Sequence, residues 1–181
     1  MVAKNEILEL PKTLPEFILW EPEDGLKYEW NDGELIKFTG MNRKQLYIYE
    51  VLNNLFIEKG LWKRGTFVAE YDTMLTGIQM RRPDIAYLTK EQVANTKKEI
   101  DEIPEFVIEV ISTTDNHYKL EDKISEYFKH GVQVVWIILP EHKMVNVYTT
   151  RKTVKICTED DICSANPVLP EFEISVNLLF A

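Results

Sequence analysis

Phe106-Val107-Ile108-Glu109-Val110-Ile111 is an apolar run with a single carboxylate set inside it. A stretch of this length and composition predicts a strand covered on both faces. Val134–Leu139 is a second such run, ended by Pro140. Between the two, Leu120, Ile124, Tyr127 and Phe128 recur at helical spacing through about His130, and Gly131 stands where glycine terminates helices. Thr113, Thr114 and Asp115 are candidate caps at the other end of that helix. Strand, helix and strand in this order predict a right-handed crossover between parallel strands over 106–139.

Working outward, residues 43–59 place Leu46, Ile48, Tyr49, Leu52, Leu55 and Phe56 at helical spacing, and Gly60 stops the run. Strand-like stretches follow at 66–71, 74–75 and 85–88, then a polar segment at 90–99 that predicts a short surface helix. Residues 28–30 and 35–38 flank Asn31-Asp32-Gly33 and predict a hairpin, because Asp-Gly suits tight turns. Residues 14–20 form a short lead-in, 145–150 a more exposed strand, and 169–180 a tail that docks on the core. The expectation is an α/β fold in one domain over 1–181, with 1–14 as lead-in and 15–181 as core.

Composition narrows the function. Hydrophobic residues make up 45% and charged residues 28% of 181, with 7 Gly and 8 Pro, which fits a globular chain and excludes disorder. No apolar run is long enough to span a bilayer, and the first residues lack the pattern of a signal peptide, so a cytoplasmic protein with no membrane partner is expected. Cys157 and Cys163 match neither a metal knuckle nor a redox pair and read as reduced bystanders. His117, His130 and His142 lack the spacing of a zinc enzyme. The net charge of −9 runs against phosphate binding over the whole surface. It leaves room for a local basic field, for which Arg81-Arg82, just before Asp84, is the candidate flank. Lys59, Lys63 and Arg64 read as solvated loop charges.

Glu109 carries the chemistry, because a carboxylate inside a buried strand needs a metal ion, a buried cation or a shared proton. Asp84 follows Pro83 and opens the apolar stretch 85–88. Two carboxylates at matching places on neighbouring strands can hold one hard divalent cation. Lys123 lies beside the inward face of the helix after Glu109, within reach of that strand's end, with Lys119 one turn earlier. Taken singly, Glu109 also fits a structural ion pair, Asp84 a turn residue, and Lys123 a snorkelling surface lysine.

Together these residues resemble the PD-(D/E)XK nuclease superfamily and, within it, the Uma-two family of putative restriction endonucleases. Tyr28-Glu29-Trp30-Asn31-Asp32-Gly33-Glu34-Leu35 resembles the family's N-terminal strand–turn–strand, Arg82-Pro83-Asp84-Ile85-Ala86 its PD strand, and PEFVIEVIS at 104–112 its Glu-bearing strand. Asp115, Lys123, Tyr127, Gly131, Val132, Trp136 and the closing Leu169-Pro170 with Phe172 fall in the same order. The resemblance implies a restriction-endonuclease-like core with a mixed central sheet flanked by helices. It also implies Mg²⁺-dependent hydrolysis of DNA phosphodiesters, with Mn²⁺ as a substitute, and a homodimer. Asp84 and Glu109 would be the metal ligands. The superfamily's lysine slot is Ile111 here, and Lys123 takes that role from the helix. Gln45 stands where a histidine is expected early in the first long helix, and Leu139 where an aspartate precedes Pro140. Glu29 and Glu34 are structural or extra carboxylates. The alternative is a catalytically weakened nuclease-fold module that binds nucleic acid or protein; a structural protein with an ion pair at Glu109 ranks below both.

Overall fold

The computed structural model describes residues 10–38, 43–111 and 117–181. In chain order the elements are α1 (Leu14–Leu19), β1 (Lys27–Asn31), β2 (Glu34–Phe38), α2 (Arg43–Glu58), β3 (Gly65–Ala69), β4 (Thr73–Thr76), β5 (Gln79–Arg81) and β6 (Ile85–Thr89). There follow α3 (Lys90–Thr96), β7 (Phe106–Val110), α4 (His117–Lys129), β8 (Val134–Leu139), β9 (Met144–Thr150), β10 (Thr153–Thr158), β11 (Ile162–Ala165), β12 (Leu169–Ser175) and α5 (Val176–Leu179).

Six strands form the central sheet in the order β10-β9-β8-β7-β6-β3. The sheet is mixed: β7 and β8 run parallel, as the strand–helix–strand reading requires, and every other neighbour pair is antiparallel. Both apolar runs are covered on two sides, which is why they carry no alternation. Phe106, Ile108 and Val110 face α2 in a core with Ile48, Leu52 and Phe56. Val107, Val135 and Ile137 face α4 through Ile124 and Tyr127. The candidate caps Thr113, Thr114 and Asp115 lie outside the described residues. The far end of α4 closes as predicted, with Gly131 at φ +106° and the Val132 N–H returning to the Tyr127 carbonyl.

A second, four-stranded antiparallel sheet has the order β2-β1-β5-β4. Its β1–β2 hairpin turns at Asp32 and Gly33, both at positive φ, as the Asp-Gly signal predicts. Strand alternation splits the residues of β1 and β5. Tyr28, Trp30 and Met80 pack against Leu14 and Phe17 of α1, whereas Glu29 and Arg81 project the other way, toward α4.

The tail docks by forming β12 and α5, with Leu169, Phe172, Val176 and Leu179 buried against the α2 side of the main sheet. Cys157 and Cys163 are free thiols in that same core. The surface reading of 90–99 holds for α3, which buries no residue and is held by a capping box between Thr89 and Gln92. No helix among the described residues is long and apolar enough to cross a membrane.

Candidate active site

The site lies where β6 and β7 meet. Ile85 pairs with Ile108 in antiparallel register, so Asp84, one residue earlier, stands beside Glu109. The Asp84 carboxylate accepts the N–H of Val110 at 2.6 Å through Oδ2 and the amide of Gln45 at 3.1 Å through Oδ1. Gln45 also donates to the Val110 carbonyl at 3.2 Å, tying α2, β6 and β7 together at one point. Gln45 is buried because it shares the inward stripe of α2 with Ile48, Leu52 and Phe56.

Glu109 points to the other face, into α4, and is only 6% exposed. One of its oxygens, Oε1, takes both the Tyr127 phenol at 2.6 Å and the Lys123 ammonium at 2.9 Å. Positions 123 and 127 are one helical turn apart, so both reach the same carboxylate. Lys123 is therefore no surface lysine: its side chain is 15% exposed, and its ammonium also contacts Glu29 at 2.7 Å. Glu29 is fixed in turn by the N–H of Arg82 at 2.8 Å and by Arg81 at 3.2 Å.

The charges explain the protonation states. Burial pushes the Glu109 carboxyl up, and the nearby Glu29 charge adds to this; Lys123 and Tyr127 offset only part of it. Burial acts on Glu29 too, but Lys123, Arg81 and the Arg82 N–H together hold it below its ordinary value. Lys123 loses hydration by burial, yet the two glutamates hold it firmly protonated. Tyr127 is pushed well up, by burial first and by Glu109 next, and stays a donor.

Two expectations need correction. Arg81 and Arg82 make no basic flank. Arg81 is 3% exposed and bridges Glu29 and Glu126, the latter at 2.7 Å. Arg82 pairs with Asp72 and donates to the Tyr28 carbonyl at 3.0 Å. Arg81 ends β5 directed at Glu29 and Glu126, and Arg82, just past the strand, turns to Asp72 and Tyr28, so the dipeptide presents no single basic surface. Glu34 and Lys119 also fall outside the site, paired with each other on the exposed surface at 3.0 Å. Arg64 is paired with Glu171 at the surface. Glu126 is a contributor the sequence reading did not name, and it gave Arg81 only as a basic flank and Tyr127 no part in holding a carboxylate. For Tyr127 the signal was a phenol on an apolar helix face, which must find a partner when buried.

The donor set suits a hard cation that keeps most of its waters. Asp84 and Glu109 hold neighbouring positions on adjacent strands, and Oε2 of Glu109 receives no hydrogen bond among the described residues. Among those residues no three His, Cys, Asp or Glu side chains gather as a ligand group. That excludes a closed protein cage there but not Mg²⁺, which is commonly held by one or two carboxylates. The Lys123–Glu109 contact alone would equally satisfy a structural ion pair; the neighbouring Asp84 carboxylate is what such a pair does not require.

A mixed sheet flanked by helices, with two acids on neighbouring strands and a lysine against one of them, is the outline of a nuclease-fold protein. The family model for Uma2, described as putative restriction endonuclease, matches residues 14–177, and the chain belongs to that family. The crystal structure of a putative nuclease belonging to DUF820 from Anabaena variabilis ATCC 29413 is similar, with a TM-score of 0.80 and 22% identity over 94% of this chain and 98% of that one. At that identity the likeness shows the shared fold. No curated protein matches the chain.

Proposed function

We propose that this protein is a metal-dependent endonuclease that hydrolyses phosphodiester bonds of DNA, with Asp84 and Glu109 as the ligands of Mg²⁺ or Mn²⁺. The observation that carries the reading is the adjacency of those two acids with Lys123 on the second of them. When bound, a hard divalent cation acidifies a water molecule and neutralises charge at the phosphate. The chain's own residues supply the rest. Gln45 and the Val110 N–H orient Asp84, and Tyr127 orients Glu109. The Lys123 ammonium stabilises negative charge developing on a phosphate oxygen. DNA as substrate, a cytoplasmic setting and a homodimer belong to the same proposal, and the family's description as putative restriction endonuclease supports the first of them.

The test is cleavage of plasmid DNA by Asp84→Ala and Glu109→Ala with Mg²⁺ present. Both variants are expected to fold and to lose at least about a hundredfold in rate, as removal of an electrostatic stabiliser does. Full cleavage by either variant would exclude that residue from the mechanism.

Two observations favour a second reading, a nuclease-fold module with weakened catalysis that binds nucleic acid or protein. Ile111 fills the superfamily's lysine slot, and the Lys123 ammonium is already engaged by two carboxylates. A thermal-shift titration with Mg²⁺ separates the two. Stabilisation that disappears in Asp84→Asn supports the enzyme, and no shift in the wild type supports the module.

A further inference from the structure

Glu29 is not one of the paired acids, yet both oxygens of its carboxylate are engaged. It lies 4% exposed and takes three donors: Lys123 at 2.7 Å and the Arg82 N–H at 2.8 Å on Oε1, and Arg81 at 3.2 Å on Oε2. Glu109 is the opposite case, with both its donors crowded on one oxygen. The Lys123 ammonium is thus shared between a fully engaged carboxylate and a half-engaged one.

That asymmetry matters as soon as a divalent cation approaches Asp84 and Glu109. An ammonium 2.9 Å from Glu109 then repels the incoming ion in a poorly screened environment. Lys123 can yield Glu109 without leaving the site only if another anion retains it. Glu29 is already at contact distance, delivered from a different sheet and locked from behind by Arg81, which Glu126 holds in turn.

We infer that Glu29 is a positioning residue: it retains Lys123 while Glu109 exchanges the ammonium for a divalent cation. The inference rests on the two-carboxylate reading above. Its consequence is a coupling between Glu29 and metal affinity that runs through Lys123. With Gln at 29, the lysine charge falls on Glu109 alone and competes with the metal; with Lys123 also removed, the competition ends.

The experiment measures Mn²⁺ binding to the full chain by electron paramagnetic resonance, with a thermal melt of each metal-free variant. Glu29→Gln is expected to bind Mn²⁺ about tenfold more weakly than wild type, the scale of an ordinary coupling between sites. Glu29→Gln combined with Lys123→Met is expected to return to within about threefold of wild type, which is under 1.4 kcal/mol. A purely structural Glu29 would not give that rescue, because the double variant removes more of the network. Should Glu29→Gln fail to fold, Glu29→Asp, which keeps the charge but withdraws it by one methylene, is expected to weaken binding in the same direction. Wild-type affinity in Glu29→Gln, or a double variant as weak as the single one, overturns the inference while leaving the two-carboxylate site standing. A wild-type protein that binds no Mn²⁺ overturns that site and this inference together.

Discussion

The Tyr127 phenol and the Lys123 ammonium meet on the same oxygen of Glu109, at 2.6 and 2.9 Å. Burial first and the Glu109 charge next both oppose ionisation of Tyr127, which keeps the phenol a donor. Tyr127→Phe keeps the ring in its core position and removes only the donor. Stability is expected to fall by about 1–2 kcal/mol in urea unfolding, and cleavage with Mg²⁺ by about tenfold. A rate equal to wild type would show that Glu109 needs no help from the phenol to hold its orientation.

Gln45 makes a comparable case on the opposite face of the sheet. Its amide serves Asp84 and the Val110 carbonyl at once, so removing it deprives two acceptors of a donor in a mostly buried place. Gln45→Leu is expected to cost about 1–3 kcal/mol of stability and to lower cleavage as Asp84 loses its alignment. If unfolding shifts while the rate holds, Gln45 belongs to the core and not to the site.

The depressed Glu29 carboxyl gives a pH dependence with a definite sign. A carboxylate held below its ordinary value, near 4.5, contributes stability that is full above that value and is lost as pH falls through the lower folded value. Gln at position 29 has no such proton to take up. Wild type is therefore expected to lose its advantage over Glu29→Gln as pH drops from about 6 to about 3, measured by urea midpoints at each pH. A difference between the two proteins that stays constant over that range would mean that Glu29 carries no depressed pKa.

Much of the architecture was legible because it is written in local composition. The runs at 106–111 and 134–139, the helical stripes of α2 and α4, and the Asp-Gly turn each signal their structure within a few residues. Asp84 and Glu109 were legible as candidates because one precedes an apolar strand and the other interrupts one, and those strands are neighbours. What stayed hidden is long-range and side-specific. Nothing local shows that β1 and β5 leave the main sheet, or that alternation turns Glu29 and Arg81 toward α4 while Tyr28 and Met80 turn to α1. The reading of the cysteines as reduced agrees with their free thiols, but their burial under β12 and α5 was not legible, because their acidic neighbours are exposed.

Arg81 is the sharpest test of that difference. A basic residue three positions before a candidate metal ligand invites a role in holding phosphate, and loss of such a contact would weaken DNA binding while sparing the fold. The structure instead buries its guanidinium between Glu29 and Glu126, with Nε and Nη2 both on the latter carboxylate. Removing one partner of a buried pair leaves uncompensated charge behind, and here two carboxylates would lose their shared cation. Arg81→Met is therefore expected to lower unfolding stability by about 3–5 kcal/mol. Pairing it with Glu126→Gln should recover part of that loss, because one of the stranded charges goes with it. An Arg81→Met protein that melts like wild type but binds DNA less tightly would return Arg81 to the surface role and overturn the burial described for it.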